Sequence, residues 1–189
     1  MIKAQKRTAE KDEGAAADWL GFASSHRQLR LEFEDILSYQ AMLLDQDRLE
    51  EWLDLLAEDV RYMVPVRQKI KDERANLANR RALCHFNDGK PGLSLRVGRI
   101  RTGFAHYNNL HALVRNLVTN VRILDVQNGG ELVQVASNFA VFRAREEKEE
   151  TAFVGGRTDT WRRTDGKWLL VHRLVELNHH FVPPISVLF

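Results

Sequence analysis

Four long stretches in the second half of this sequence constrain its fold more than any other feature. Leu113 to Val126, Leu132 to Arg145, Ala152 to Arg163 and Trp168 to His179 are rich in Val, Leu, Phe and Thr, which suit a pleated, half-buried surface. Each is well beyond the usual strand of about five or six residues, so a sheet made of them must twist and curl. Asn128-Gly129-Gly130 and Asp165-Gly166 lie at two of the joins and supply the positive-φ residues of tight hairpins. The order is therefore antiparallel. Val133, Val135, Phe139 and Val141 share one face of their strand while Gln134, Asn138 and Ala140 share the other, so one face packs on helices and the other is more polar.

The first half supplies those helices. Leu29, Phe33, Ile36, Leu37, Leu43 and Leu44 recur at helical intervals and predict an amphipathic helix. Asp45-Gln46-Asp47 interrupts it, and Asp47 with Glu50 offers the start of a second helix carrying Leu49, Trp52, Leu53 and Leu56. Val60, Tyr62, Val64 and Val66 alternate as a strand in which Pro65 favours an edge or an end, so this strand is expected to be marginal to the sheet. Arg67 to Lys90 reads as a long basic excursion, and Leu93, Val97 and Ile100 mark a third helix stopping near Gly103. Residues 1–25 lack sustained apolar periodicity and are expected as a mobile arm, leaving 26–189 as a single domain. The fold expected is α+β, a cone in which N-terminal helices pack on a strongly curved, mainly antiparallel sheet. Pro183-Pro184 ends the last strand, and the apolar Ile185, Val187, Leu188 and Phe189 beyond it require burial, in this chain or on a neighbour.

Composition removes whole classes of chemistry. Cys84 is the only cysteine, which excludes an intrachain disulfide and every four-cysteine zinc or iron–sulfur arrangement. With 28 basic against 26 acidic residues there is no concentrated basic stripe, and nucleic acid is not an expected partner. No apolar stretch approaches the ~20 residues that cross a bilayer, and the charged, alanine-rich start is unlike a secretion signal; a cytoplasmic location is expected.

Several ordered blocks together carry a family likeness. They are Leu43-Leu44-Asp45 through Arg48, Glu51-Trp52-Leu53, Val60 with Tyr62 and Val64-Pro65, Arg99 through Gly103, and Val118-Thr119-Asn120-Val121-Arg122. Ser137-Asn138-Phe139, Phe142-Arg143 with Arg145, and Phe153-Val154-Gly155 with Arg157, Asp159, Arg162 and Arg163 complete them. The sequence resembles the small (beta) subunit of Rieske non-haem iron aromatic-ring-hydroxylating dioxygenases from about Leu37 onward. It differs from the usual pattern at His106-Tyr107-Asn108-Asn109-Leu110-His111 and again at Asn178-His179-His180-Phe181-Val182-Pro183-Pro184. The resemblance implies a cystatin-like or nuclear-transport-factor-like cone and an oxidoreductase complex that degrades aromatic hydrocarbons or aromatic acids. It implies a heterohexamer of three large (alpha) and three small subunits, fed with electrons by a ferredoxin, a reductase or both. The Rieske [2Fe-2S] cluster and mononuclear Fe(II) are then expected on the large subunit, with this chain supporting assembly and carrying no catalytic, cofactor or metal residues.

The residues themselves are compatible with that division. A Rieske cluster needs paired cysteines as well as histidines. His106 and His111 have no carboxylate near them in sequence before Asp125, which is a poor match to a two-histidine, one-carboxylate iron site. His179 and His180, like Cys84 and His85, are adjacent and in a strand point to opposite faces. Arg157 and Asp159 share a strand face, and with Arg162 and Arg163 could form a charged patch; the plainer reading is a local ion pair. Trp161 and Trp168 read as sheet or interface anchors. Arg157, Asp159, Trp161, Leu188 and Phe189 are accordingly the candidate subunit-interface residues. The competing reading is a stand-alone isomerase or dehydratase with an acid–base set drawn from Tyr39, Asp45, Tyr62 and His106.

Overall fold

The computed structural model describes residues 18–66, 84–101, 113–145, 149–179, 185 and 187–189. Two helices open it, α1 over 18–25 and α2 over Arg27–Asp45, separated by a turn at His26. Of the arm expected over 1–25, residues 1–17 fall outside this description, and 18–25 are helical. Helix α2 buries Phe33, Leu37, Gln40 and Leu43, a stripe with the 3.6-residue period. Arg30 and Glu34 pair one turn apart on its outer side.

Asp47 does not cap the next helix. It takes a left-handed conformation, φ 56°, and its N–H reaches the Leu44 carbonyl while that of Arg48 reaches Leu43. These are the two bonds of a Schellman ending, so Asp47 closes α2 and does not open its successor. Helix α3, Leu49–Leu53, is a single turn begun by Arg48 without a side-chain cap, and Leu56, expected on it, is already in the first strand.

Strand β1 runs Leu56–Pro65, β2 is Cys84–Asp88, and α4 spans Lys90–Arg101. Four more strands follow among the described residues: β3 Leu113–Gln127, β4 Leu132–Arg145, β5 Glu149–Thr164 and β6 Lys167–Leu177. The hairpin turns use left-handed Asn128, Gly129 and Gly130, and Asp165 with Gly166. All six form one sheet in the order β2-β1-β6-β5-β4-β3. Strand β1 is thus internal, not marginal to the sheet as expected, and Pro65 stands at its end. It pairs parallel with β6 and antiparallel with β2, and the register shifts where Pro65 lacks its N–H. Strand β2 comes from within the predicted excursion, of which 67–83 lie outside the described residues.

Irregularities set which side chains face inward. On β3, Asn120 is left-handed (φ 54°) and the pairing with β4 slips between Thr119 and Arg122, a bulge that resets the alternation. On β6, Trp161 pairs with Leu170 but Thr160 with His172, so Val171 is the extra residue. Trp168 and Leu170 face inward before the bulge, Arg173, Val175 and Leu177 after it. Phe33 on α2 anchors the helix to the sheet, its ring 5.8 Å from Trp161 and 5.1 Å from Trp168.

Candidate functional site

At the centre of the sheet's inner face Ser137, Arg157, Asp159 and Arg173 are buried together among apolar side chains. Sheet register explains the cluster. Ser137 pairs with Arg157 across β4 and β5, and Asp159 with Arg173 across β5 and β6. Arg173 donates from Nε to Asp159 Oδ1 at 2.7 Å and from Nη2 to Oδ2 at 2.6 Å, the bidentate fork of a strong charge-assisted pair. Its Nη2 also donates to Gln40 Oε1 at 2.9 Å, which ties α2 to the sheet. Its Nη1 donates to the Phe189 carbonyl oxygen at 2.6 Å.

Phe189 is held at both its N–H and its backbone oxygen. Tyr62 Oη donates to its carbonyl at 2.8 Å and accepts from its N–H at 2.9 Å. Burial pushes the Tyr62 hydroxyl above its ordinary pKa, against the opposing pull of Arg173. Arg157 donates from Nε to Ser137 Oγ at 3.0 Å and stands 3.8 Å from Asp159. Burial, with Arg173 beside it, lowers its guanidinium to about 10, so of the two it is the less well compensated. Gly155 belongs to the same layer. A Cβ there would lie 2.3 Å from the Glu176 carbonyl oxygen and 2.9 Å from the Phe139 ring, so only glycine lets β5 lie this close.

The five residues expected at a subunit interface, Arg157, Asp159, Trp161, Leu188 and Phe189, are all buried inside this chain. The four charged residues that could have formed one patch divide between the two sides of the sheet. Arg157 and Asp159 face inward, whereas Arg162 pairs with Asp59 at 2.7 Å outside and Arg163 is exposed over the Trp168 ring. The acid–base set is not assembled either. Tyr39 is exposed, Asp45 accepts from Arg115 and Asn116 at the β3 edge, and Tyr62 is engaged with Phe189. His106, His111 and His180 lie outside the described residues; His179 accepts from the Val154 N–H at 3.2 Å. Sequence reasoning missed Arg173, Gln40 and Ser137. Gln40 could have been found as a polar residue on the apolar stripe of α2.

The outer face has a different character. Leu117, Ala140 and Val154 stand in one register row across β3, β4 and β5, and Arg115, Phe142 and Ala152 in the next. Leu113 (76% exposed), Leu117 (51%), Phe142 (48%) and Val154 (44%) open this area to solvent.

Residues 39–184 match the family described as ring hydroxylating beta subunit. The chain belongs to that family. The benzene 1,2-dioxygenase beta subunit of Pseudomonas putida is 35% identical over 138 residues, covering 72% of this chain and 73% of that one. The 3-phenylpropionate/cinnamic acid dioxygenase beta subunit of Photorhabdus laumondii is 32% identical over 169 residues, covering 86% and 92%. Among solved structures, naphthalene 1,2-dioxygenase with indole bound superposes with a TM-score of 0.74 at 25% identity over 85% of this chain and 86% of that one. A putative scytalone dehydratase from Novosphingobium aromaticivorans, TM-score 0.61 at 16% identity over 82% and 89% of the two chains, shares the cone fold alone. As a ring-hydroxylating beta subunit, this chain has an alpha-subunit partner. Among the described residues no group of three His, Cys, Asp or Glu could hold a metal. Cys84, the sole cysteine, does not fit a Rieske cluster's need for two thiolates. No described helix is long and apolar enough to cross a membrane.

Proposed function

We propose that this chain is the non-catalytic structural subunit of a dioxygenase complex and docks on the large subunit through the outer face of β3, β4 and β5. The observation that carries this is that Leu113, Leu117, Phe142 and Val154 are exposed in neighbouring register rows of one face, with Arg115 among them, a grouping of large apolar side chains that marks an interaction surface. The interior supports the same reading. Arg157, Asp159, Trp161, Leu188 and Phe189 serve assembly indirectly, by fixing the curvature of the sheet whose outer side makes contact. The chain acts as a cytoplasmic single-domain unit in an α3β3 hexamer. The large subunit carries the Rieske cluster and the Fe(II) that oxidise an aromatic hydrocarbon or aromatic acid, with electrons from a ferredoxin or reductase.

The test is to purify the chain alone and co-expressed with a large subunit, then compare mass, iron content and aromatic dihydroxylation. A complex of equal stoichiometry whose iron and colour come only from the partner is expected. Iron binding or turnover by the lone chain would refute the reading.

A further inference from the structure

The outer face of β3, β4 and β5 carries charge of one sign between two of its register rows. Arg115 stands opposite Phe142, and Arg122 opposite Ala136, further along the same face. Between these rows no outward position of the three strands among the described residues is acidic. The two arginines bracket the row of Leu117, Ala140 and Val154 and lie about 20 Å apart at the ordinary rise of a strand.

Neither guanidinium is fully used within the chain. Arg115 donates from Nη1 to Asp45 Oδ2 at 3.0 Å, yet its side chain is 71% exposed against 9% for Asp45. The other oxygen of Asp45 accepts from the Asn116 N–H and Nδ2 at 2.7 and 2.8 Å. The carboxylate is therefore fixed, and it steadies a guanidinium that remains turned to solvent. Arg122 is exposed and has no ion-pair partner among the described residues. Covering such groups with a purely apolar surface is costly, because a desolvated guanidinium needs a counter-charge. Arginines that meet carboxylates across an interface also select the partner and fix its register.

We propose that the large-subunit surface docking on this face is apolar at its middle and presents a carboxylate on either side, one to Arg115 and one to Arg122. This rests on the docking face inferred above and adds the chemistry of the partner. Leu117, Phe142 and Val154 supply the contact, and the two arginines set which surface is accepted and in which register.

The test is a competition. Wild-type small subunit and one variant are co-expressed in equal amounts with the large subunit, and mass spectrometry reads the share of each in the purified complex. Arg122→Met and Arg115→Met should each fall about tenfold below wild type, since each leaves a partner carboxylate unpaired. Arg122→Lys should stay within about twofold, because it keeps the charge. A share for either Met variant equal to or above that of wild type would overturn the proposal, as a purely apolar partner would favour methionine. Leu117→Asp in the same competition separates the two readings. Its exclusion while a Met variant is retained leaves the docking face standing and removes the carboxylates; its retention removes the docking face and the proposal with it.

Discussion

Asp159 and Arg173 face each other across β5 and β6 and share two hydrogen bonds, 2.7 and 2.6 Å, with both side chains inside the protein. A buried pair of this kind adds little net stability when intact, because desolvation offsets attraction. Losing one partner is a different matter. Arg173 also holds Gln40 of α2 and the carbonyl of Phe189, so the pair sets the positions of helix and tail together.

Asp159→Asn should therefore cost about 3–5 kcal/mol, since it strands two buried guanidiniums. Asp59→Asn breaks the exposed pair with Arg162 and should cost no more than about 1 kcal/mol. Urea denaturation of the two variants measures the contrast, and equal losses would place Asp159 outside the structural centre.

Tyr62→Phe removes both hydrogen bonds to Phe189 and should cost about 1–3 kcal/mol, with faster amide exchange at Phe189. It also has a pH signature. The folded hydroxyl holds its proton more tightly than the unfolded one, so above about pH 10 the unfolded chain loses its proton first. This contribution is complete below that pH and is lost as pH rises through the folded value. Alkaline melting curves of Tyr62→Phe should lack that part of the decline.

Much of this arrangement was legible in the sequence. The apolar period of α2, the four long strands and both glycine turns reported directly on local geometry, because each rests on neighbours within a few residues. The cluster was half legible. Alternation placed Arg157 and Asp159 on one face, but which face is buried depends on packing with α2 and the tail. Strict alternation from Trp168 and Leu170 would turn His172 inward and Arg173 outward; the bulge at Val171 reverses this. The internal position of β1 was hidden because its parallel partner, β6, lies more than a hundred residues later.

Gly155 and Gly156 are adjacent yet should respond oppositely to alanine. Gly155→Ala drives a Cβ to 2.3 Å from the Glu176 carbonyl oxygen and should cost about 1–3 kcal/mol. Gly156→Ala meets nothing nearer than 3.7 Å and should leave the melting temperature almost unchanged. Thermal melts decide between this and a shared need for flexibility, which would make the two losses equal.

His172 supplies the acid-side test. Burial, aided by Arg61 and opposed by Asp159, holds its imidazole below the ordinary range. As pH falls below about 6.5, the unfolded chain takes up this proton before the folded chain does, so stability declines. His172→Gln should flatten the decline that sets in below about pH 6.5 in equilibrium unfolding; an unchanged slope would assign it to other groups.

The docking face is tested most directly by the mass of the complex formed when Leu117→Asp or Phe142→Asp is co-expressed with a large subunit. Both positions are exposed, so each variant should fold with an unchanged melting temperature yet elute at the mass of the free small subunit. Recovery of a full-mass complex from both variants would contradict the assignment of β3, β4 and β5 as the surface that meets the large subunit.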